Sequence, residues 1–95
     1  MMRVQVRVML SSERVIRNET LEIVLPDGAT LVDLLERLPL SPTERKKYLR
    51  EDGRGLKEGM AILINGENVE TLGLGPDTPL EDGCRVSLIY LLAGG

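Results

Sequence analysis

Residues 20–38 read Thr20-Leu21-Glu22-Ile23-Val24-Leu25-Pro26-Asp27-Gly28-Ala29-Thr30-Leu31-Val32-Asp33-Leu34-Leu35-Glu36-Arg37-Leu38, and the apolar period changes inside this stretch. Leu21, Ile23 and Leu25 recur every second residue, the pattern of a strand with one buried face. Pro26-Asp27-Gly28 breaks it. Leu31, Leu34, Leu35 and Leu38 then recur at i, i+3, i+4 and i+7, which predicts a helix with one leucine stripe turned to a sheet. Thr30 is placed to cap that helix, its hydroxyl accepting from the backbone near Asp33, and Asp33 favours the helix N-terminus. Pro39 is expected to stop it.

Upstream, Val4, Val6 and Val8 alternate with Arg3, Gln5 and Arg7, so a first strand precedes the one at 20–25, and Ser11-Ser12-Glu13-Arg14 reads as the turn of a hairpin between them. Downstream, Ser41-Pro42-Thr43-Glu44 combines a cap, a proline at the first helical position and an acid at the third, predicting a short exposed helix through Leu49. Glycines 53, 55 and 59 mark a loop. Met60-Ala61-Ile62-Leu63-Ile64 is an apolar run of strand length, expected to be buried on both faces or nearly so. Asn65-Gly66 closes a tight turn, a short strand follows around Val69 and Leu72, and residues 85–91 form the last strand. The order ββα(α)βββ suits an α+β fold, a mixed sheet of about five strands packed on one main helix, with the last strand beside the first. Strand parity then turns Val4, Val6, Val8, Val86 and Leu88 to the helix and Arg3, Arg7, Met9, Ser87, Ile89 and Leu91 away from it.

The chain has 95 residues, which bounds it to one domain: 1–91 as the folded unit and 92–95 as a flexible tail. It contains no His, so imidazole bases and His-ligated zinc are excluded. A single cysteine, Cys84, permits neither an intramolecular disulfide nor a thiolate cage, and it reads as a small buried hydrophobe entering a strand. No metal site is expected. Twelve Lys and Arg against fifteen Asp and Glu, with two tyrosines as the only aromatics, make nucleic acid a poor partner. Lys46 and Lys47 read as a solvated helix face. Apolar runs fall well short of the roughly 20 residues that span a bilayer, and no signal segment is recognisable, so the expectation is a cytoplasmic protein without membrane contact.

The sequence closes on Leu92-Ala93-Gly94-Gly95 directly after the last strand. Terminal glycines add backbone entropy and no packing, and their use lies in being thin. Residues 91–95 extend to about 17 Å at roughly 3.3 to 3.6 Å each, enough for Leu92, Ala93 and Gly94 to thread a channel and bring the Gly95 carboxylate to a buried site. An ionised carboxylate is a poor acyl donor and needs activation, most simply as an acyl-adenylate. The chain has no phosphate-binding glycine loop of its own, so a partner must supply the nucleotide site.

Taken in order, the alternating first strand, Pro26-Asp27-Gly28-Ala29-Thr30 before a leucine-rich helix, Ile64-Asn65-Gly66-Glu67, Thr78-Pro79-Leu80-Glu81-Asp82-Gly83 before the last strand, and Ala93-Gly94-Gly95 cover nearly the whole chain. In this set the sequence resembles the ubiquitin-like β-grasp sulfur carriers of the MoaD/ThiS type, above all the small subunit of molybdopterin synthase. It departs from them at Leu91-Leu92, where relatives often carry two prolines, and at Cys84, where an acid is usual.

The resemblance implies that Gly95 is adenylated by a ubiquitin-activating-like adenylyltransferase using ATP and converted to a thiocarboxylate. The sulfur then passes to an acceptor such as the molybdopterin synthase large subunit. No stably bound cofactor is expected, and no activity without a partner. The alternatives are a thiamine-pathway carrier, a sulfur donor for tRNA thiolation, a modifier conjugated to lysines, and a plain interaction module. The absence of any segment to be cleaved after Gly95 favours the carrier over the modifier. Met9, Ile89 and Leu91 are expected to dock the partner, with Arg3, Arg7 and Arg85 near the rim of the contact.

Overall fold

The computed structural model describes residues 1–11 and 16–90. The elements run β1 (Met2–Ser11), β2 (Ile16–Leu25), α1 (Leu31–Glu36), α2 (Pro42–Tyr48), β3 (Met60–Ile64), β4 (Glu67–Asn68) and β5 (Arg85–Tyr90). They form one five-stranded sheet in the order β2-β1-β5-β3-β4. β1 pairs antiparallel with β2 and parallel with β5, in register from Gln5–Arg85 to Met9–Ile89, so the first and last strands are the central pair. This is the ubiquitin-like β-grasp, a mixed sheet with two short helices. Of the turn expected at 11–14, residues 12–14 lie outside those described, and Ser11 belongs to β1.

The period-2 reading of β1 holds residue by residue. Met2, Val4, Val6, Val8 and Leu10 are buried and Arg3, Gln5 and Arg7 exposed. Val4, Val6 and Val86 have no exposed surface, and they pack with Leu88, Leu25 and the α1 stripe of Leu31, Leu34 and Leu35 into one core. Cys84 is buried in that core, as a small hydrophobe should be.

α1 is shorter than its leucine spacing predicts and ends at Glu36, before Pro39 is reached. The reason is a side chain from the next helix. The Arg45 guanidinium donates to the carbonyls of Leu35 at 3.2 Å, Glu36 at 2.9 Å and Leu38 at 2.6 Å, satisfying the end of the helix from outside. Leu38 stays buried although it is no longer helical. Both helices start as expected, Thr30 capping α1 and Ser41 capping α2, each with its reciprocal carboxylate at Asp33 and Glu44.

Two expectations are corrected. The strand anticipated around Val69 and Leu72 is β4, at Glu67–Asn68. Val69 is buried in the turn that follows, and Leu72 is 42% exposed. Asn65 and Gly66 both have positive φ, 50° and 87°, so the hairpin reverses in two residues and β4 begins at once. The run at 60–64 is not buried on both faces: Ala61 and Ile62 are buried, while Met60, Leu63 and Ile64 are half-buried. Helices cover only the side that carries Ile62.

Candidate functional site

β1 and β5 run in the same direction, and their odd-numbered residues share the face opposite the helices. Arg3, Gln5, Arg7 and Met9 of β1 lie there beside Arg85, Ser87 and Ile89 of β5. The antiparallel register of β3 adds Ala61 next to Ile89 and Leu63 next to Ser87. Sequence reasoning missed these two. In an all-apolar strand nothing in the residue types tells which parity faces the helix, and only the register with β5 settles it.

This outer face is divided along its length. Met9, Ile89 and Ala61 form an apolar half at the end where β5 finishes, and Leu63 stands level with Ser87 nearer the middle. Toward the start of β5 the surface is polar and cationic. A depression of about 360 Å³ there is lined by Gln5, Arg7, Thr20, Asn65, Arg85 and Ser87. Arg7 and Arg85 stand on the two central strands, Arg85 at the first position of β5, and no ion pair holds either of them among the described residues. Arg3 lies further out, its Nε 3.9 Å from a carboxylate oxygen of Glu22. The backbone of Arg3 accepts from Gly83 at 2.8 Å and donates to Asp82 at 2.8 Å, which ties the loop before β5 to β1.

Leu91, Leu92, Ala93, Gly94 and Gly95 lie outside the described residues. The strand that leads to them is fixed on both sides, with Ile89 between Met9 and Ala61 and with Tyr90 opposite Met60. Among the described residues no group of three His, Cys, Asp or Glu side chains could hold a metal, and no helix is long and apolar enough to cross a membrane.

A sequence model described as the ThiS family matches residues 10–95, from the end of β1 through Gly95. The chain belongs to the ThiS family. No curated protein matches it in sequence. Among solved structures, the solution structure of the HVO 2177 protein from Haloferax volcanii is similar over 99% of this ThiS-family chain and 87% of its own, at 30% identity and a TM-score of 0.67. SAMP1 from the same organism shares the fold at 20% identity and a TM-score of 0.73, over 98% of this chain and 99% of its own. So does a putative molybdopterin converting factor subunit 1 from Pyrococcus furiosus, at 24% identity and a TM-score of 0.64, over 97% of this chain and all of its own (100%).

Proposed function

We propose that this ThiS-family protein is a sulfur carrier whose reactive group is the carboxylate of Gly95, and that it serves as the small subunit of a molybdopterin synthase. The observation that carries the reading is that the family match runs through Gly94 and Gly95, immediately after a strand held on both sides. A carboxylate at that point is ionised and unreactive toward sulfur. In the proposed cycle it attacks the α-phosphate of ATP in an adenylyltransferase, releasing pyrophosphate. A sulfur nucleophile then displaces AMP from the acyl carbon, leaving a thiocarboxylate that the acceptor enzyme consumes. The carrier itself contributes presentation: Leu92, Ala93 and Gly94 thread the partner's channel, while Met9, Ile89 and Leu91 hold the face from which the tail leaves.

The test is the intact mass of the protein after incubation with the adenylyltransferase of its own organism, ATP and a sulfur donor. One oxygen should be replaced by sulfur. A form carrying an extra residue after Gly95 should remain unchanged, and equal thiolation of that form would exclude Gly95 as the acyl group. Transfer of the sulfur to the molybdopterin synthase large subunit identifies the pathway, whereas an isopeptide-linked lysine conjugate would point to the modifier.

A further inference from the structure

We infer that Arg7 and Arg85 together form a seat for a side-chain carboxylate of the protein partner, and that this polar seat is the second half of a two-part docking face. The inference rests on the carrier reading above and names the chemistry its partner must present.

The geometry begins with the register. Arg7 lies beside Ser87 and Gln5 beside Arg85, so the two arginines are diagonal neighbours across the parallel ladder. With a rise of 3.3 Å per residue and a strand spacing near 4.8 Å, their Cα atoms lie about 8 Å apart. Side chains of that length can converge on one oxyanion between them. The remaining polar lining of the depression consists of the Thr20 and Ser87 hydroxyls and the Gln5 and Asn65 amides, and no carboxylate is part of it. The nearest carboxylate on this face among the described residues, Glu22, stands beside Gln5 on β2 and faces Arg3, so neither Arg7 nor Arg85 has an ion-pair partner there, in a chain whose net charge is −3. An oxyanion between them would meet two guanidinium forks at once.

Continuity with the apolar half selects a protein carboxylate as the occupant. Two residues beyond Arg7 and Ser87, Met9 and Ile89, with Ala61 of β3 beside them, offer a surface that a free ion cannot use. A protein can place an apolar side chain on that half and an Asp or Glu on the other at once, forming forked hydrogen bonds to guanidinium. The net negative charge of the chain works against a nucleic-acid strand.

The test is steady-state adenylation by the same organism's adenylyltransferase with the carrier as varied substrate. Replacing both residues in an Arg7→Glu/Arg85→Glu protein should raise KM for the carrier by about tenfold or more, leave kcat within about twofold, and flatten the dependence of KM on ionic strength. The Arg7→Lys/Arg85→Lys protein, which keeps charge but loses the fork, should fall between. A Lys46→Glu/Lys47→Glu protein, of the same net charge and altered only on α2, should behave as wild type. An unchanged KM in the arginine double variant overturns the inference, as does an equal rise in the lysine variant. Competition by millimolar inorganic phosphate beyond that of sodium chloride at equal ionic strength would assign the seat to a free oxyanion, not to a protein carboxylate. Failure of the wild-type chain to be adenylated at any concentration overturns the carrier reading and the seat with it. Adenylation with identical KM values overturns the seat alone.

Discussion

Asn65 grips Arg85 twice: its backbone N–H donates to the Arg85 carbonyl at 2.8 Å, and its side-chain Oδ1 accepts from the Arg85 N–H at 3.0 Å. The β3–β4 turn therefore fixes where β5 begins. Asn65 manages this from the left-handed region, with φ at 50°, which asparagine tolerates better than other residues with a Cβ.

Replacing Asn65 by Leu removes the acceptor and leaves a residue poorly suited to that φ, so stability should fall by about 1–3 kcal/mol. Urea denaturation measures it. Asn65→Asp keeps the acceptor and should lose less; equal losses in the two variants would show that the side-chain bond contributes nothing.

Arg45 closes α1 from α2 through three carbonyls. Arg45→Met preserves much of the stem and removes every donor, and should destabilise the protein by about 1–3 kcal/mol. Hydrogen exchange should quicken at Arg37 and Leu38, whose amides bond within that last turn. A loss spread evenly over the sheet, with no change local to α1, would contradict the assignment.

The carboxylate of Asp33 is held below its ordinary value of 3.8, first by the Thr30 backbone N–H at 2.8 Å, then by the Thr30 hydroxyl at 3.1 Å, with a smaller contribution from Arg37. A carboxylate whose pKa is depressed by folding contributes stability that is complete above the ordinary value and lost as pH falls through the folded one. Thermal melts between pH 2 and pH 6 should accordingly show a shallower acid limb for Asp33→Asn than for the wild type. Parallel curves for the two proteins would mean that Asp33 does not titrate differently on folding.

Ile89 sits between Met9 and Ala61 on the apolar half of the outer face, half-buried. Ile89→Asp should leave the circular dichroism spectrum of the fold intact and weaken complex formation with the adenylyltransferase or acceptor by a few kcal/mol, because the new charge has no partner where water is excluded. Unchanged affinity for both enzymes would remove this half of the face from the interface.

Much of this architecture was legible before any coordinates. The alternation of Val4, Val6 and Val8, the stripe from Leu31 to Leu38, and the caps at Thr30 and Ser41 are local patterns, and each element starts where its pattern put it, although α1 ends early at Glu36. Apart from the short strand at 67–68, set by the tightness of the Asn65-Gly66 turn, what the sequence left open depends on contacts remote along the chain. The end of α1 is set by Arg45, nine residues beyond Glu36, and the facing of Ala61 and Leu63 is set by a strand more than twenty residues away. The site divides the same way. Met9, Arg7 and Ile89 follow onto one face from parity alone, but the lengthwise separation of that face into apolar and cationic halves needs the register of the strands. Parity also could not show that Thr20 and Asn65 would line the cationic half.

The parallel pairing of β1 with β5 joins residues 80 positions apart, such as Gln5 and Arg85, at the middle of the sheet. On a ribosome adding 5–20 residues per second, β1 waits roughly 4–16 s for its central neighbour to be made. Until then Val4, Val6 and Val8 have β2 beside them and the α1 leucines to pack on, but no strand on their other side, and the sheet cannot close. The sheet of this domain is thus completed only once residues 85–90 have been made.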